Sequence, residues 1–347
     1  MKKHAIIPVF IPHMGCPNDC IFCNQKVITA KTAPVAEEDV KNIIEERLPT
    51  LTDRGLETLE IAFFGGSFTG IPIKEQQKYL GIALDYKNKG IVDKIRLSTR
   101  PDYINPEILG NLRKYKVDTI ELGVQSMDDR VLAMSRRGHT SEDVRRACSL
   151  IRDYDFTLGI QLMIGLPGDT PDTAACTAEK VAAIGPEMAR LYPTVVLENT
   201  VLAKMCRSGA YIPLTEDDAV AITMRMYVIL QDAGIDIIRV GLKSTDLITH
   251  DADLGGSYHP AFRQLVEGRI AKNRILAMLR ELKSSGTITI CSNRKWFSDM
   301  IGHKGCNKKF FEENFPQYII KYAAHDSLPD NTYNIIRGDD SRGGHKR

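Results

Sequence analysis

No apolar run in this chain approaches the roughly 18 residues needed to span a bilayer. Met1-Lys2-Lys3 before an apolar stretch has the charge order of a signal peptide. However, Pro8, Pro12 and His13 interrupt the stretch, and no small-residue cleavage site precedes the cysteines. A secreted disulfide framework is also missing: Cys148, Cys176, Cys206, Cys291 and Cys306 are widely scattered, and none shares a close spacing that would indicate a second metal cluster. No Gly-x-Gly-x-x-Gly follows the first apolar strand, which argues against a nicotinamide enzyme. These absences lead to the expectation of a cytoplasmic protein without membrane contact. Strong net charge is lacking too: the total is +2. It is unevenly spread, with residues 259–347 carrying +7 and the remainder −5. That asymmetry hints at an anionic partner for the C-terminal part, although solvated helix faces alone would produce it. With 43 % hydrophobic and 26 % charged residues over 347 positions, the chain has an ordinary globular composition and room for two domains.

Up to about residue 245, short apolar strands alternate with amphipathic helices. Strands are expected at Ala5–Phe10, Leu59–Phe64, Lys94–Ser98, Thr119–Val124, Thr157–Ile164, Met188–Val196 and Asp236–Val240. Helices are expected at Glu37–Leu48, Ile73–Asp85, Pro106–Tyr115, Ser141–Asp153 (with an N-cap serine), Pro171–Ile184 and Glu216–Ala233, the last closed by Gly234. Such spacing implies parallel β-α units. The unusual residues fall just past successive strand ends, where barrel enzymes build their sites, so a full or partial (β/α) barrel fits better than a doubly wound sheet.

Past the first strand stands Cys16-x3-Cys20-x2-Cys23, three thiolates in one loop. Three thiolates can hold three corners of a four-iron four-sulfur cluster, whose ordinary complement is four cysteines, and leave one iron open to a small molecule. This spacing resembles that of the radical S-adenosylmethionine (SAM) enzymes, and Phe22 matches their common aromatic. A structural zinc site would want a fourth ligand, for which His13 is close but cramped. On the loop alone both metals remain open. Gly65-Gly66-Ser67 follows the second strand and exposes backbone, as capture of the SAM amino group requires, or makes an ordinary turn. Arg100, in Ser98-Thr99-Arg100-Pro101-Asp102, can grip a carboxylate bidentately or pair with Asp102. Gln125-Ser126 ends the fourth strand. Arg136-Arg137-Gly138-His139-Thr140 offers a cation or a surface loop. Met163–Gly168 offers backbone around Gly165.

In combination and order, the cysteine loop, FFGGSF, STRPDY, ELGVQSMDDRVL, RRGHT, LMIGLPG and LYPTVVLENTVLAKMCRSGAY resemble the radical SAM domain of the elongator complex catalytic subunit. The resemblance covers about residues 5–245 and is more distant to the oxygen-independent coproporphyrinogen oxidases. It implies a four-iron four-sulfur cluster on Cys16, Cys20 and Cys23. It also implies SAM contacts around Phe22, Gly65, Gly66, Ser98, Arg100, Gln125, Arg137 and Gly165, and an electron donor such as ferredoxin or flavodoxin. Two features depart from the family: its first two cluster cysteines are spaced more widely, and its acetyltransferase domain has no counterpart in the last hundred residues here. Carboxymethylation of uridine is therefore not carried over. Tyr192, Cys206 and Glu198, at and beyond the sixth strand, are candidates to face substrate, against the plainer readings of packed ring, buried thiol and surface carboxylate.

The C-terminal part is expected to run helix 260–283, strand Thr287–Cys291, helix Arg294–Met300, Gly302-His303-Lys304-Gly305, helix Cys306–Asn314 and strand Gln317–Tyr322. This order resembles a KH core, whose GxxG loop clamps single-stranded nucleic acid. Gly302, His303, Lys304, Gly305, Lys308 and Lys309 are then the RNA-binding candidates, against an incidental basic loop. The expected division is a radical SAM partial barrel at 1–254, a small α+β KH-like module at 255–337 and a disordered tail at 338–347. The expected activity is reductive cleavage of SAM to a 5′-deoxyadenosyl radical that modifies RNA, with tRNA the first choice. The rivals are a radical SAM enzyme for a small carboxylate such as a tetrapyrrole, and an iron-sulfur RNA-binding protein without turnover.

Overall fold

The computed structural model describes residues 4–11, 20–23, 35–51, 55–242, 258–283 and 285–338. Cys16, the glycines at 255 and 256 and the tail from 339 onward lie outside the described residues. The chain divides into two compact units, Met1–Tyr258 and His259–Arg347.

In the first unit, strands and helices alternate: β1 (His4–Ile11), α1 (Glu37–Arg47), β2 (Thr58–Gly65), α2 (Ile73–Asn88), β3 (Lys94–Thr99), α3 (Pro106–Lys114), β4 (Thr119–Gln125), α4 (Asp129–Met134), α5 (Ser141–Asp153), β5 (Thr157–Ile164), α6 (Pro171–Ile184), β6 (Met188–Pro193), α7 (Val201–Arg207), α8 (Glu216–Asp232) and β7 (Asp236–Val240). The seven strands lie in sequence order in one sheet, every neighbouring pair parallel. Parallel neighbours need a crossover, and the helices supply it. Adding each strand on the same side winds the sheet into a partial barrel, with β1 and β7 unpaired to each other among the described residues.

Alternation along each strand separates the two faces of the sheet. Ile61, Phe63, Ile95, Leu97, Ile120 and Leu122 are fully buried on the helix side, where Phe63 meets the Tyr79 ring of α2. The intervening residues, Glu60, Arg96, Ser98, Glu121, Gln161 and Arg190, are polar and bond one another on the concave side.

Local chemistry sets the helix starts. Asn105 accepts the Ile108 N–H at 2.9 Å, with Pro106 first in α3. For α5 the expected N-cap serine is corrected: the cap is Thr140. Thr140 Oγ1 accepts the Asp143 N–H at 3.2 Å, and the Asp143 carboxylate accepts the Thr140 N–H at 2.8 Å. A capping box needs its acid three residues after the hydroxyl, and Asp143 stands three after Thr140, not Ser141. Ser141 instead donates its N–H and hydroxyl to Asp129 at the start of α4, joining the two helices. The sixth strand ends at Pro193, short of Val196, and the Thr194 N–H makes the last bond to β5 at Ile164 O, 2.9 Å away.

In the second unit, α9 (Phe262–Glu281) precedes β8 (Gly286–Ser292), α10 (Phe297–Ile301), α11 (Cys306–Asn314), β9 (Tyr318–Ala324) and β10 (Asn334–Arg337). The sheet order is β10-β8-β9, with β8 and β9 parallel and β10 antiparallel to β8. Ala271, Ile275 and Leu279, spaced by four along α9, share a core with Ile288, Ile290, Met300 and Phe311. No described helix is long and apolar enough to cross a membrane.

Candidate active site

Cys20 to Cys23 form a tight turn in which the Cys23 N–H donates to the Cys20 carbonyl at 3.0 Å. The residue after Cys20 anchors it. Ile21 is 1 % exposed and packs with Val196, Leu202, Ala203 and Tyr211, with Phe22 and Cys206 against the same cluster. Its N–H donates to Ser135 O at 3.3 Å, and its carbonyl accepts the Leu202 N–H at 2.8 Å. Leu202 lies in the first turn of α7, where helix N–H groups have no intrahelical partner, so the start of α7 holds the Cys20–Cys23 turn. Tyr211, beyond α7, donates its hydroxyl to Gly165 O at 2.7 Å and thereby ties the same cluster to the end of β5.

Cys20 and Cys23 border a cleft of about 160 Å³ at the C-terminal ends of the strands. β2 contributes Gly65, Gly66 and Ser67; β3 contributes Ser98, Thr99 and Arg100; β4 contributes Gly123 and Gln125. Phe22, Arg137 and Gln161 complete the lining. Gly65 has φ +106°, and a Cβ there would stand 2.5 Å from Ile11 O, so only glycine lets β2 end this close to β1. Gln125 has φ +69° at a register shift between β4 and β5, an unusual backbone for a side chain of its size.

The two arginines of the cleft are differently compensated. Arg100 grips Asp102 with both ends of its fork, at 2.9 and 3.0 Å, and also donates to the carbonyl of Arg137. Arg137 is 7 % exposed and pairs with no carboxylate among the described residues. Its Nη1 donates to Cys20 Sγ at 3.2 Å and its Nη2 to Gly123 O at 2.6 Å. Its plane lies 5.9 Å from the Phe22 ring centre, within cation–π reach, and Nε has no acceptor among the described residues. Beside them, His139 Nε2 lies 3.3 Å from Val124 O. Burial, then the Arg137 and Arg100 charges, push His139 down to about 4, so the ring is neutral at pH 7.

Beneath the cleft, Gln161 donates to Ser98 Oγ at 3.2 Å and Glu121 Oε2 at 2.9 Å. Glu121 also accepts from Arg96 and Arg190, and Arg96 bridges to Glu60. Burial works to raise the Glu121 carboxyl, yet Arg190 and then Arg96 outweigh it and hold it below the usual range. Tyr192 sits on this concave face next to Arg190, its phenol pushed up by burial. Sequence reasoning does not single out Gln161 or Thr99. A lone glutamine in the apolar run Thr157–Ile164 is the available signal for the first.

The other sequence candidates fall as follows. Cys206 lies on α7 against the Ile21 cluster, and Glu198 pairs with Arg207. Gly165 has φ +80° and is not among the residues lining the cleft. In the second unit, Gly302 and Gly305 bracket a turn between α10 and α11, with φ +79° and +77° and Lys304 at +52°. His303 Nδ1 lies 3.1 Å from Gln264 Oε1, while Lys308 and Lys309 extend beside Glu312 and Glu313 on the exposed face of α11.

A model of the radical SAM superfamily matches residues 10–181, and one of the radical SAM C-terminal domain matches residues 186–272. The tRNA uridine(34) acetyltransferase of Dehalococcoides mccartyi is 24 % identical over 302 residues, covering 78 % of this chain and 65 % of that protein. Elongator complex protein 3 of Homo sapiens is 32 % identical over 135 residues, 38 % of this chain and 25 % of that one. The chain thus spans less than two thirds of the length of either relative. The archaeal Methanocaldococcus infernus Elp3 structure superposes with a TM-score of 0.56 at 21 % identity, covering 71 % of this chain and 61 % of that one, which establishes a common fold. The chain belongs to the radical SAM superfamily, enzymes that work with a four-iron four-sulfur cluster and S-adenosylmethionine.

Proposed function

We propose that this chain holds a four-iron four-sulfur cluster on Cys16, Cys20 and Cys23, binds SAM in the adjoining cleft and modifies RNA, tRNA being the substrate class. The residues present fit these groups. Two thiols border the cleft, Gly65 leaves backbone bare where a Cβ would clash, and the buried Arg137 has a donor without an acceptor among the described residues. A buried guanidinium without a counter-charge costs several kcal/mol on the order-of-magnitude scale for ions, and thiolates and a carboxylate together would supply one. That cation beside Cys20, without a carboxylate partner among the described residues, is the observation that carries the reading. A cluster held on Cys16, Cys20 and Cys23 would supply the single electron for reductive cleavage of the SAM sulfonium, the source of methionine and a hydrogen-abstracting 5′-deoxyadenosyl radical.

The chain's own groups do the positioning. Backbone carbonyls at Gly65 and Gly66 suit an ammonium. Arg137 suits a carboxylate better than Arg100, which Asp102 already occupies. Ser98 and Gln125 offer hydrogen bonds to sugar hydroxyls, whereas Gly165, outside the lining, has its N–H on Asp169 and its carbonyl on the Tyr211 hydroxyl. Tyr192 and Cys206 remain the candidates for substrate contact. RNA is supported by the names of the tRNA-directed relatives, by the +7 charge of residues 259–347 and by a GxxG turn between two helices flanked by parallel strands, the order of a KH core.

Anaerobic reconstitution with SAM and a reductant tests the chemistry: 5′-deoxyadenosine should form with wild type and not with Cys20→Ala. Comparing tRNA nucleoside masses from cells with and without the protein tests the substrate, and identical profiles would overturn the tRNA reading.

A further inference from the structure

We propose that Arg137 tunes the reduction potential of the cluster through its hydrogen bond to the Cys20 sulfur, a role separate from any contact with SAM. The inference rests on Cys20 being a cluster ligand. Of the two guanidiniums lining the cleft, Arg100 is neutralised by a forked pairing with Asp102, whereas Arg137 has no carboxylate partner among the described residues and directs Nη1 at Cys20 Sγ from 3.2 Å.

The arrangement is built rather than incidental. Nη2 is fixed on Gly123 O at 2.6 Å, the plane lies over Phe22, and Arg100 holds the Arg137 main-chain carbonyl. A Cβ on Gly123 would crowd Gln125 Nε2 at 3.0 Å and reach ordinary contact with Arg137 Nη2 at 3.5 Å. Arg137 is thus secured at the head group and at the main chain, and a side chain so held cannot swing away as the cluster changes charge.

The consequence follows from electrostatics. One-electron reduction by an external low-potential donor adds one negative charge to the cluster and its thiolates. A buried cation donating to one of those sulfurs stabilises the more negative state, and hydrogen bonds to cluster sulfurs are a known lever on potential. Burial strengthens the effect, because little water screens the pair. Arg137 therefore makes the cluster easier to reduce before SAM arrives.

The test is an EPR-monitored redox titration, without SAM, of the full-length protein reconstituted anaerobically. Arg137→Gln should bind the same iron and sulfide as wild type and show its midpoint shifted to more negative potential. Arg137→Lys, which keeps charge but loses the fork, should fall between them. Wild-type midpoint in a fully loaded Arg137→Gln overturns the proposal and leaves Arg137 only a SAM contact. Should the glutamine variant fail to load, the reduced wild-type cluster in D2O decides. Electron-nuclear double resonance is expected to detect an exchangeable deuteron at hydrogen-bond distance, and its absence overturns the proposal. Failure of the underlying site reading looks different: wild type itself would then show no four-iron four-sulfur signal.

Discussion

Gly65 and His139 illustrate what single positions in this protein are held to. Gly65 is legible in the sequence as a position of exposed backbone, although two successive glycines after an apolar strand suit an ordinary turn as well. The reason that only glycine serves emerges from the pairing of β1 with β2, which brings Ile11 O to 2.5 Å from where a Cβ would stand. Gly65→Ala should lose about 1–3 kcal/mol from the backbone conformation alone, seen as a lower urea midpoint, together with weaker SAM binding by calorimetry. His139 is only one letter of a basic loop in the sequence, since nothing local says that two arginines will be folded against it. Its folded value of about 4 lies below the usual 6.5. The unfolded chain therefore binds the extra proton between those values, and stability present above pH 6.5 is lost as pH falls toward 4. The loss is on the order of 3 kcal/mol. Urea unfolding of the metal-free protein at pH 4 to 7 should show wild type losing that much relative to His139→Gln. A difference independent of pH would contradict the placement of the ring.

Among the elements, the long strands and helices are readable because their periodicity runs for two turns or more and their caps are chemically explicit. The short helices α4 and α7 are not. Seven residues, Val201–Arg207, give too few repeats for a periodic signal, and the segment's task is tertiary: its first turn donates the Leu202 N–H to Ile21 O. The isoleucine after Cys20 is likewise uninformative in sequence, yet it is the anchor by which the loop is seated. Ile21→Ala removes most of a fully buried side chain. Such truncations cost about 2–5 kcal/mol, and here the loss would fall on the attachment of the loop to α7. Iron should still bind, but its release to a chelator should be faster by about tenfold or more. Unchanged release would mean that the Cys20–Cys23 turn is held by something other than this cluster.

Across the whole molecule, the sequence distributes charge between its two units before any fold is known, with +7 in residues 259–347 against −5 in the rest. What charge counting could not reveal is that the two glycines of the GxxG turn do different things. A Cβ on Gly302 would stand 2.7 Å from Asn307 Cγ and Cys306 Sγ, so its absence lets α11 begin tightly. Asn307 secures the same corner by donating to Gly268 O and Asp299 O. Gly305 has left-handed backbone, but a Cβ there would meet nothing within 4 Å. Gly302→Ala should accordingly lower the thermal midpoint of the second unit. Gly305→Asp should largely spare it, because aspartate is among the few side chains that accept left-handed backbone. The added carboxylate would stand beside Lys304, where a phosphate would otherwise be held. If this turn meets RNA, the full-length Gly305→Asp protein should bind a single-stranded oligonucleotide about tenfold more weakly than wild type at low salt. Its log–log salt slope should be flatter by about 0.7 for each phosphate that the turn no longer neutralises. Equal affinity and equal slope, in a protein whose unfolding matches wild type, would remove this turn from the RNA surface and leave the positive charge of residues 259–347 to act elsewhere.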